Sequence, residues 1–387
     1  MSQDFFPRIG GAHLWLYEVY RRWPTPVTWL TSTPAVLQCS KSATCGVERT
    51  DLGALQVHRT LRAVNDIEIR SIKCWQEFLS STGMALTHAD GCPSRFHCLR
   101  AFPEGFIGYL ARKRLGHLAR LVVYAHGEEM LVARASRQVL WMAQKVYQSA
   151  DLVIANSHST ASMVRELAPG ATVVVINPGV DVASFRCDPV DVEVTRRGWG
   201  WVDGTIVVST VARMEPRKNQ RSVLSAIASL RSEGQEVAYV CAGSGEELEH
   251  LEAQTATLGL REFVRFPGVL SESEKVLTYL ASDIYAMPSI RVGEMTEGFG
   301  IVFLEAAAAN RASLAGSVGG QPEAVIDGET GIIVDGSSDD SVLLGLRRLV
   351  KSSELRARLG KRGRSWAEAH DWSKVAERTL QAVRGSD

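Results

Sequence analysis

From about residue 119 onward, short runs of β-branched residues alternate with amphipathic stretches, and this alternation constrains the fold more than any other feature of the chain. Strands separated by helices pair in parallel, because a parallel crossover needs a dozen or more residues, and the helices then cover both faces of the sheet. Strands are expected at 122–125, 152–155 and 173–176, with helices at 135–149 and 159–167. A second series places strands at 206–211, 238–242, 264–266, 284–287 and 332–334, and helices at 219–232, 246–258, 272–281 and 301–309. The expected class is α/β, with two doubly wound, Rossmann-like domains facing each other across a cleft.

The length supports two domains. At 387 residues and 45% hydrophobic content the chain exceeds one typical core. A linker is expected at 177–205, where Pro178, Gly179, Pro189, Gly198, Gly200 and Gly204 punctuate a polar stretch. Lys plus Arg equals Asp plus Glu at 43 each, so no global field favours nucleic acid or an anionic membrane. The short basic patch of Arg112, Lys113, Arg114 and Arg120 reads as a solvated helix end. Seven cysteines, Cys39, Cys45, Cys74, Cys92, Cys98, Cys187 and Cys241, form no CxxC pair and follow no signal peptide, which fits a reducing cytosol. Cys92, His97 and Cys98 lack the second paired cluster of a metal site, so no metal and no cofactor is expected. No apolar run approaches the roughly 18 residues of a membrane span, so membrane contact at an inner face is at most peripheral.

Residues 31–100 carry weak periodicity and give no firm elements. The start is also short. Residues 5–11 read as a loop entering a helix at 14–22, and a parallel sheet needs a strand before that loop. Only three residues are available for it, so the first strand is expected to be missing, truncated or replaced by another segment.

The chemistry-bearing segments lie beside strand ends. In EGFGIVFLE, Glu297 and Glu305 stand eight residues apart across the start of an apolar helix, roughly 12 Å if the stretch were wholly helical. The helix N-terminus between them favours an anion, so a diphosphate could sit there while each carboxylate accepts hydrogen bonds from sugar hydroxyls. The plain alternative is an amphipathic helix with two solvated acids. Arg213 and Lys218 follow the strand at 206–211, at the edge where α/β proteins bind ligands, and could grip a diphosphate. Arg217 between them also allows a solvated basic loop. Gly10 with Gly11 before a helix, and Gly243 with Ser244 and Gly245 after the strand at 238–242, let backbone approach a ligand. His126 after the strand at 122–125 puts a titratable imidazole at a binding edge.

Taken in order, Gly10-Gly11, His126-Gly127-Glu128, Asn177 to Asp181, Arg213 with Lys218, Gly243-Ser244-Gly245, Glu297 to Glu305 and residues 319–336 resemble the retaining family 4 glycosyltransferases of GT-B fold. Within that family, residues 4–11 are similar to the opening loop of the phosphatidylinositol mannoside mannosyltransferases, which implies GDP-mannose as donor. The resemblance implies an acceptor-binding domain at 1–185, a donor-binding domain at 203–368, and a last helix within 369–387 that returns to the first domain. It gives Glu305 the ribose, and Glu297 with the amides around Gly298, Phe299 and Gly300 the transferred sugar. Arg213, Lys218 and the Gly10 and Gly11 amides would hold the diphosphate, Gly243 and Ile301 would also belong to the donor site, Phe266, Pro267 and Gly268 would lie near the base, His126 near sugar and acceptor, and Asp4 on the acceptor side. Two departures stand out: Asn219 where glycine is common, and residues 309–313 where a proline-containing turn is usual.

The expected reaction moves a hexose from a nucleotide-diphosphate sugar to a hydroxyl acceptor without a metal, Arg213 and Lys218 assisting the departing diphosphate. A non-catalytic sugar-nucleotide-binding subunit, and a GT-B epimerase or phosphorylase, remain alternatives at this level.

Overall fold

The computed structural model describes residues 1, 11–32, 47–48, 55–61, 72–89, 92–134 and 136–386. They divide into two compact units, Met1–Pro178 with Trp372–Asp387, and Gly179–Asp371. The first boundary falls at Pro178 and not at 185, because the segment after it belongs to the second core. Val180 forms a parallel bridge with Asp371, and Val182 and Phe185 are buried with Tyr279 and Phe303.

In the first unit the order is α1 (Gly11–Tyr20), β1 (Val27–Ser32), β2 (Val47–Glu48), β3 (Leu55–Leu61), α2 (Ile72–Ala89), β4 (Ser94–Cys98) and α3 (Phe106–Leu115). There follow β5 (Ala119–Ala125), α4 (Glu128–Arg134), α5 (Arg137–Ser149), β6 (Leu152–Ala155), α6 (His158–Leu167) and β7 (Val173–Val175). A parallel sheet runs in the order β4-β5-β6-β7, and a second sheet runs β1-β3-β2, with β1 parallel and β2 antiparallel to β3. β6 is buried along its whole length and β5 at all but one position, as befits strands covered on both faces. Ser136 and Ser157 cap α5 and α6 by accepting from the Val139 and Thr160 amides. β1, β3 and β4 lie in or beside the stretch whose periodicity was too weak to read.

The question of the first strand narrows to Met1. Its amine donates to the His97 carbonyl, and its own carbonyl accepts from the Leu99 amide at 3.0 Å. One residue bonded to both neighbours of Cys98 is the pattern of a parallel ladder, so Met1 adds a single paired position outside β4. Residues 2–10, with Asp4 and Gly10, lie outside the described residues.

The second unit opens with a correction. The expected linker carries a helix, α7 (Pro189–Gly198), with Pro189 in its first turn and Asp188 accepting from the Val190 amide at 2.8 Å. Arg196 ties α7 to the sheet through Asp283 at 2.9 Å and the Ala281 carbonyl at 2.8 Å. Then come β8 (Ile206–Val211), α8 (Gln220–Ser232), β9 (Val237–Ala242), α9 (Leu248–Thr257), β10 (Val264–Arg265), α10 (Glu272–Ala281) and β11 (Ile284–Met287). α11 (Ile301–Ala308), β12 (Ala312–Gly316), α12 (Gln321–Ala324), β13 (Gly331–Val334), α13 (Asp339–Lys351) and α14 (Ser353–Ala369) complete it. All six strands are parallel, in the order β10-β9-β8-β11-β12-β13. The chain winds outward from β8 in one direction and from β11 in the other, so the loops after these strands open beside a topological switch point. β12 was not expected, since Ala-Ser-Leu-Ala-Gly has no β-branched residue; burial between β11 and β13 makes it a strand.

The last helix, α15 (Trp372–Arg384), belongs to the first unit. Trp372, Val375 and Val383 are buried in one cluster with Trp15, Leu16, Val19 and Tyr20 of α1. Trp372 is 2% exposed, so truncating it opens a large cavity. Trp372→Ala is expected to lower the unfolding free energy of the first unit by about 3–5 kcal/mol, measured by denaturant titration.

Candidate functional site

The loop after β8 turns sharply at Pro216–Lys218, a single 3₁₀ turn begun by proline. Asn219 follows with φ 60° in the left-handed region. Asparagine tolerates that conformation when its amide is tied down locally, which explains how it replaces the usual glycine. Its Nδ2 donates to the carbonyls of Pro288 at 3.1 Å and Gly336 at 2.8 Å. The loop after β8 is thereby fastened to those after β11 and β13.

This turn sorts the three cations. Arg213 has a side chain 64% exposed, whereas Arg217 is 3% exposed and Lys218 is buried. Glu215 bridges the two arginines, at 2.7 Å from Arg213 and 2.9 Å from Arg217. Arg217 also lies 3.4 Å from Glu297, and the Lys218 ammonium is hydrogen-bonded to the same Glu297 oxygen. Among the described residues, three cations meet two carboxylates in this cluster. Burial pushes the Glu297 carboxyl up, but Lys218 and then Arg217 outweigh it and hold it below its ordinary range.

Glu297 stands in the loop ahead of α11 and not on the helix, so the wholly helical spacing does not apply to it. The Gly320 amide donates to its carbonyl at 2.9 Å, and a Cβ on Gly320 would lie 2.1 Å from the Gly298 carbonyl oxygen. Only glycine permits that contact. Gly300 caps α11 with φ 93°, and the first-turn amides of Ile301 onward point toward this end of the helix. The Phe299 side chain is buried in the core with Phe303, so Phe299 can offer a ligand only its backbone.

Glu305 sits one turn further along α11 and is clamped from α10. The Tyr279 hydroxyl donates to one oxygen at 2.8 Å and the Lys275 ammonium to the other at 2.8 Å. Burial alone would lower the Lys275 ammonium, but Glu305 and Glu272 hold it above its ordinary value. Lys275 and Tyr279, four apart on one helix face, were missed by sequence reasoning although that spacing was a usable signal. Glu215 and the inward turn of Arg217 were missed too, and the burial of Arg217 excludes the alternative of a solvated basic loop for this residue.

Gly243 serves the same neighbourhood from below. A Cβ there would lie 1.9 Å from the Ala212 carbonyl, its amide donates to the Gly268 carbonyl at 2.7 Å, and the next residue, Ser244, accepts from the Met214 amide at 2.9 Å. The glycine loop thus packs on the segment carrying Arg213. Phe266 is half-buried against the core and Pro267 is exposed.

The remaining predicted residues lie in the first unit. Gly11 is the exposed first residue of α1. His126 follows β5, its Nε2 donating to the Leu99 carbonyl at 2.8 Å, while its amide is held by Glu129 at 2.8 Å and its carbonyl by Asn156 at 3.0 Å. Burial lowers the imidazole to about 4, so His126 is neutral at physiological pH and not the titrating group its position suggested. Among the described residues no three His, Cys, Asp or Glu side chains gather as a metal site requires. Arg112 and Arg120 of the basic patch both contact Asp151, at 2.8 and 3.0 Å, which offsets part of its charge. No described helix is long and apolar enough to cross a membrane.

Two family descriptions match this chain: "Glycosyltransferase Family 4" over residues 94–184 and "Glycosyl transferases group 1" over 191–366. A GDP-mannose-dependent alpha-(1-6)-phosphatidylinositol monomannoside mannosyltransferase of Mycobacterium tuberculosis is 31% identical over 282 residues, 71% of this chain and 72% of the relative. The chain belongs to the family 4 glycosyltransferases. The corresponding enzyme of Mycolicibacterium smegmatis is 32% identical over 291 residues, 74% of this chain and 75% of its own. A D-inositol 3-phosphate glycosyltransferase of Corynebacterium jeikeium is 34% identical over 252 residues, 60% and 57%. Anabaena HepE in complex with UDP superposes with a TM-score of 0.80 at 19% identity, over 99% of this chain and 98% of that one. The glycosyltransferase therefore has the GT-B fold.

His97, half-buried in the first unit of this glycosyltransferase, is bonded through Nδ1 to the Tyr20 hydroxyl and lowered to about 3, chiefly by desolvation. A histidine kept neutral in the fold binds its proton only on unfolding, so its stabilisation is complete above about pH 6.5 and drains away as pH falls. The expected loss between pH 6.5 and 4 is up to roughly 1.4 kcal/mol per pH unit for each of His97 and His126. Denaturant titrations across that range should show the slope, and His97→Gln or His126→Gln should each flatten it.

Proposed function

We propose that this glycosyltransferase moves a mannosyl residue from GDP-mannose to a hydroxyl of a lipid-linked acceptor, with retention of configuration and without a metal ion. The observation that carries the reading is the Glu215, Arg217, Lys218 and Glu297 network beside the N-terminus of α11, with exposed Arg213 at its edge. It offers fixed countercharge to a leaving diphosphate and a carboxylate for the sugar hydroxyls beside it. The resemblance to GDP-mannose-dependent enzymes supports the donor.

On this reading Lys218 turns from Glu297 to the diphosphate as the donor arrives, joined by Arg213 and the first amides of α11. Glu297, still held by Arg217, then accepts from the sugar hydroxyls, and Glu305 accepts from the ribose. The bond from the anomeric carbon to the diphosphate breaks as the bond to the acceptor oxygen forms on the same face. The acceptor's proton passes to a diphosphate oxygen, so no protein nucleophile is needed. His126, neutral at working pH, is assigned hydrogen bonding and not proton transfer. With no membrane-spanning helix described, a lipid-linked acceptor would be met peripherally.

Turnover of GDP-mannose with phosphatidylinositol monomannoside vesicles tests the whole reading, and UDP-glucose serves as the competing donor. Transfer that persists in EDTA and gives an α-linked product by NMR is expected; absence of GDP-mannose binding and transfer would overturn it. Among variants, Lys218→Ala is expected to lower kcat by about 10²–10³. Glu305→Gln is expected mainly to raise the donor KM, because a ribose contact is made equally in ground and transition states.

A further inference from the structure

Glu305 is held on both of its oxygens by a single helix. The Lys275 ammonium donates to Oε1 at 2.8 Å and the Tyr279 hydroxyl to Oε2 at 2.8 Å. Each tether is itself fixed. Ser271 and Glu274 form a capping box at the start of α10, and the Lys275 amide bonds back to the Ser271 carbonyl at 2.9 Å. The Lys275 ammonium also meets Glu272 at 2.8 Å. The Tyr279 ring is buried against Phe185 and Tyr285, with ring centroids 5.9 and 5.5 Å apart.

The last torsion of a glutamate is broad and roughly two-fold, so a carboxylate held at one oxygen still turns about its final bond. Two donors one turn apart on α10 stop that rotation in Glu305. A carboxylate offers about four lone-pair sites, and these donors take one on each oxygen. What remains suits two adjacent hydroxyls, each donating to its own oxygen. The Glu305 side chain is only 9% exposed, so a lone pair that a bound nucleotide covers and leaves without a donor is costly.

We propose that Lys275 and Tyr279 are positioning residues that fix the plane of the Glu305 carboxylate, so that it reads the adjacent 2′- and 3′-hydroxyls of the donor together and restricts the donor to ribonucleotides, which rests on the reading that Glu305 receives the ribose. Neither side chain has to touch the nucleotide, because each acts through the orientation of Glu305. Freed from one tether, the carboxylate turns away from the geometry that serves both hydroxyls at once. The ribose then contributes less to binding, and a missing hydroxyl costs less.

Calorimetric binding of GDP, 2′-deoxy-GDP and 3′-deoxy-GDP to the full chain, with UDP and its deoxy forms alongside, tests this. The wild type is expected to bind a ribonucleotide at least about tenfold more tightly than either deoxy form. In Lys275→Met, whose unbranched side chain preserves the packing, that ratio is expected to fall by about fivefold or more. A merely structural role would lower Tm and leave the ratio alone, so an unchanged or larger ratio overturns the proposal whatever the Tm. If Lys275→Met does not fold, Tyr279→Phe, which removes one hydroxyl and no packing, must lower the ratio, and an unchanged ratio there counts against the proposal equally. A wild type that binds neither GDP nor UDP overturns it together with the donor reading. Binding of UDP but not GDP removes GDP-mannose alone, and the UDP ratios then decide.

Discussion

A carboxylate withdrawn from water must be met by positive charge or hydrogen bonds, or it reverts to the neutral acid. Glu297 is the residue on which this demand shapes the second unit. Its side chain faces Lys218 and Arg217, and both reach it because a 3₁₀ turn and a left-handed Asn219 swing the chain after β8 inward. Asn219 holds that shape only by bonding the segments after β11 and β13, while Gly320 brings the loop before α12 onto the backbone of Glu297. Four separate loops therefore converge on one ion cluster. The reversal of strand order at β8 and β11 puts them within reach of one another.

The parts of this arrangement that were legible in the sequence are those governed by local pattern. β8, β6 and β11 carry β-branched or apolar runs and α10 an amphipathic pattern, so their bounds could be read directly. Glu297 and Glu305 were legible because glycines and an apolar helix lie between them. What pattern cannot carry is the direction in which a loop side chain turns. Arg213, Arg217 and Lys218 look alike in sequence, and only the proline turn and the left-handed residue after it decide which is buried. β12 was invisible for a related reason: its small residues have no strand preference, and the place between β11 and β13 imposes the conformation.

The first unit is built on a different balance. Its described core joins two aromatic and aliphatic clusters, one of which binds α1 to α15 through Trp15, Val19, Tyr20 and Trp372, nearly the whole chain apart in sequence. Such packing leaves little trace in local periodicity, which is why α1 was legible as a helix while α15 and its return to the first unit had to come from the family resemblance. Tyr20 makes the polar exception inside that cluster, with its hydroxyl shared between His97 and Tyr124. Desolvation then decides the chemistry: the His97 and His126 imidazoles stay neutral, and His126, which sequence offers as titratable, becomes a fixed hydrogen-bonding group.

On the proposed function, the resting ion pairs also set how binding energy is used. A lone buried lysine would have to shed its water when the donor arrived, whereas Lys218 is already desolvated and exchanges one charge-assisted bond, to Glu297, for another, to phosphate. Arg217 keeps its hold on Glu297 through that exchange, so the carboxylate is left half satisfied and in place. The sugar hydroxyls supply the missing donors. A nucleoside diphosphate without its sugar would draw Lys218 away and leave that deficit open, at a cost comparable to an unmade hydrogen bond to a charged group. The cluster thus favours the intact donor over its spent form by the same pairing that holds Glu297 in place, and its positive charge is directed at the diphosphate, where negative charge grows as the sugar departs.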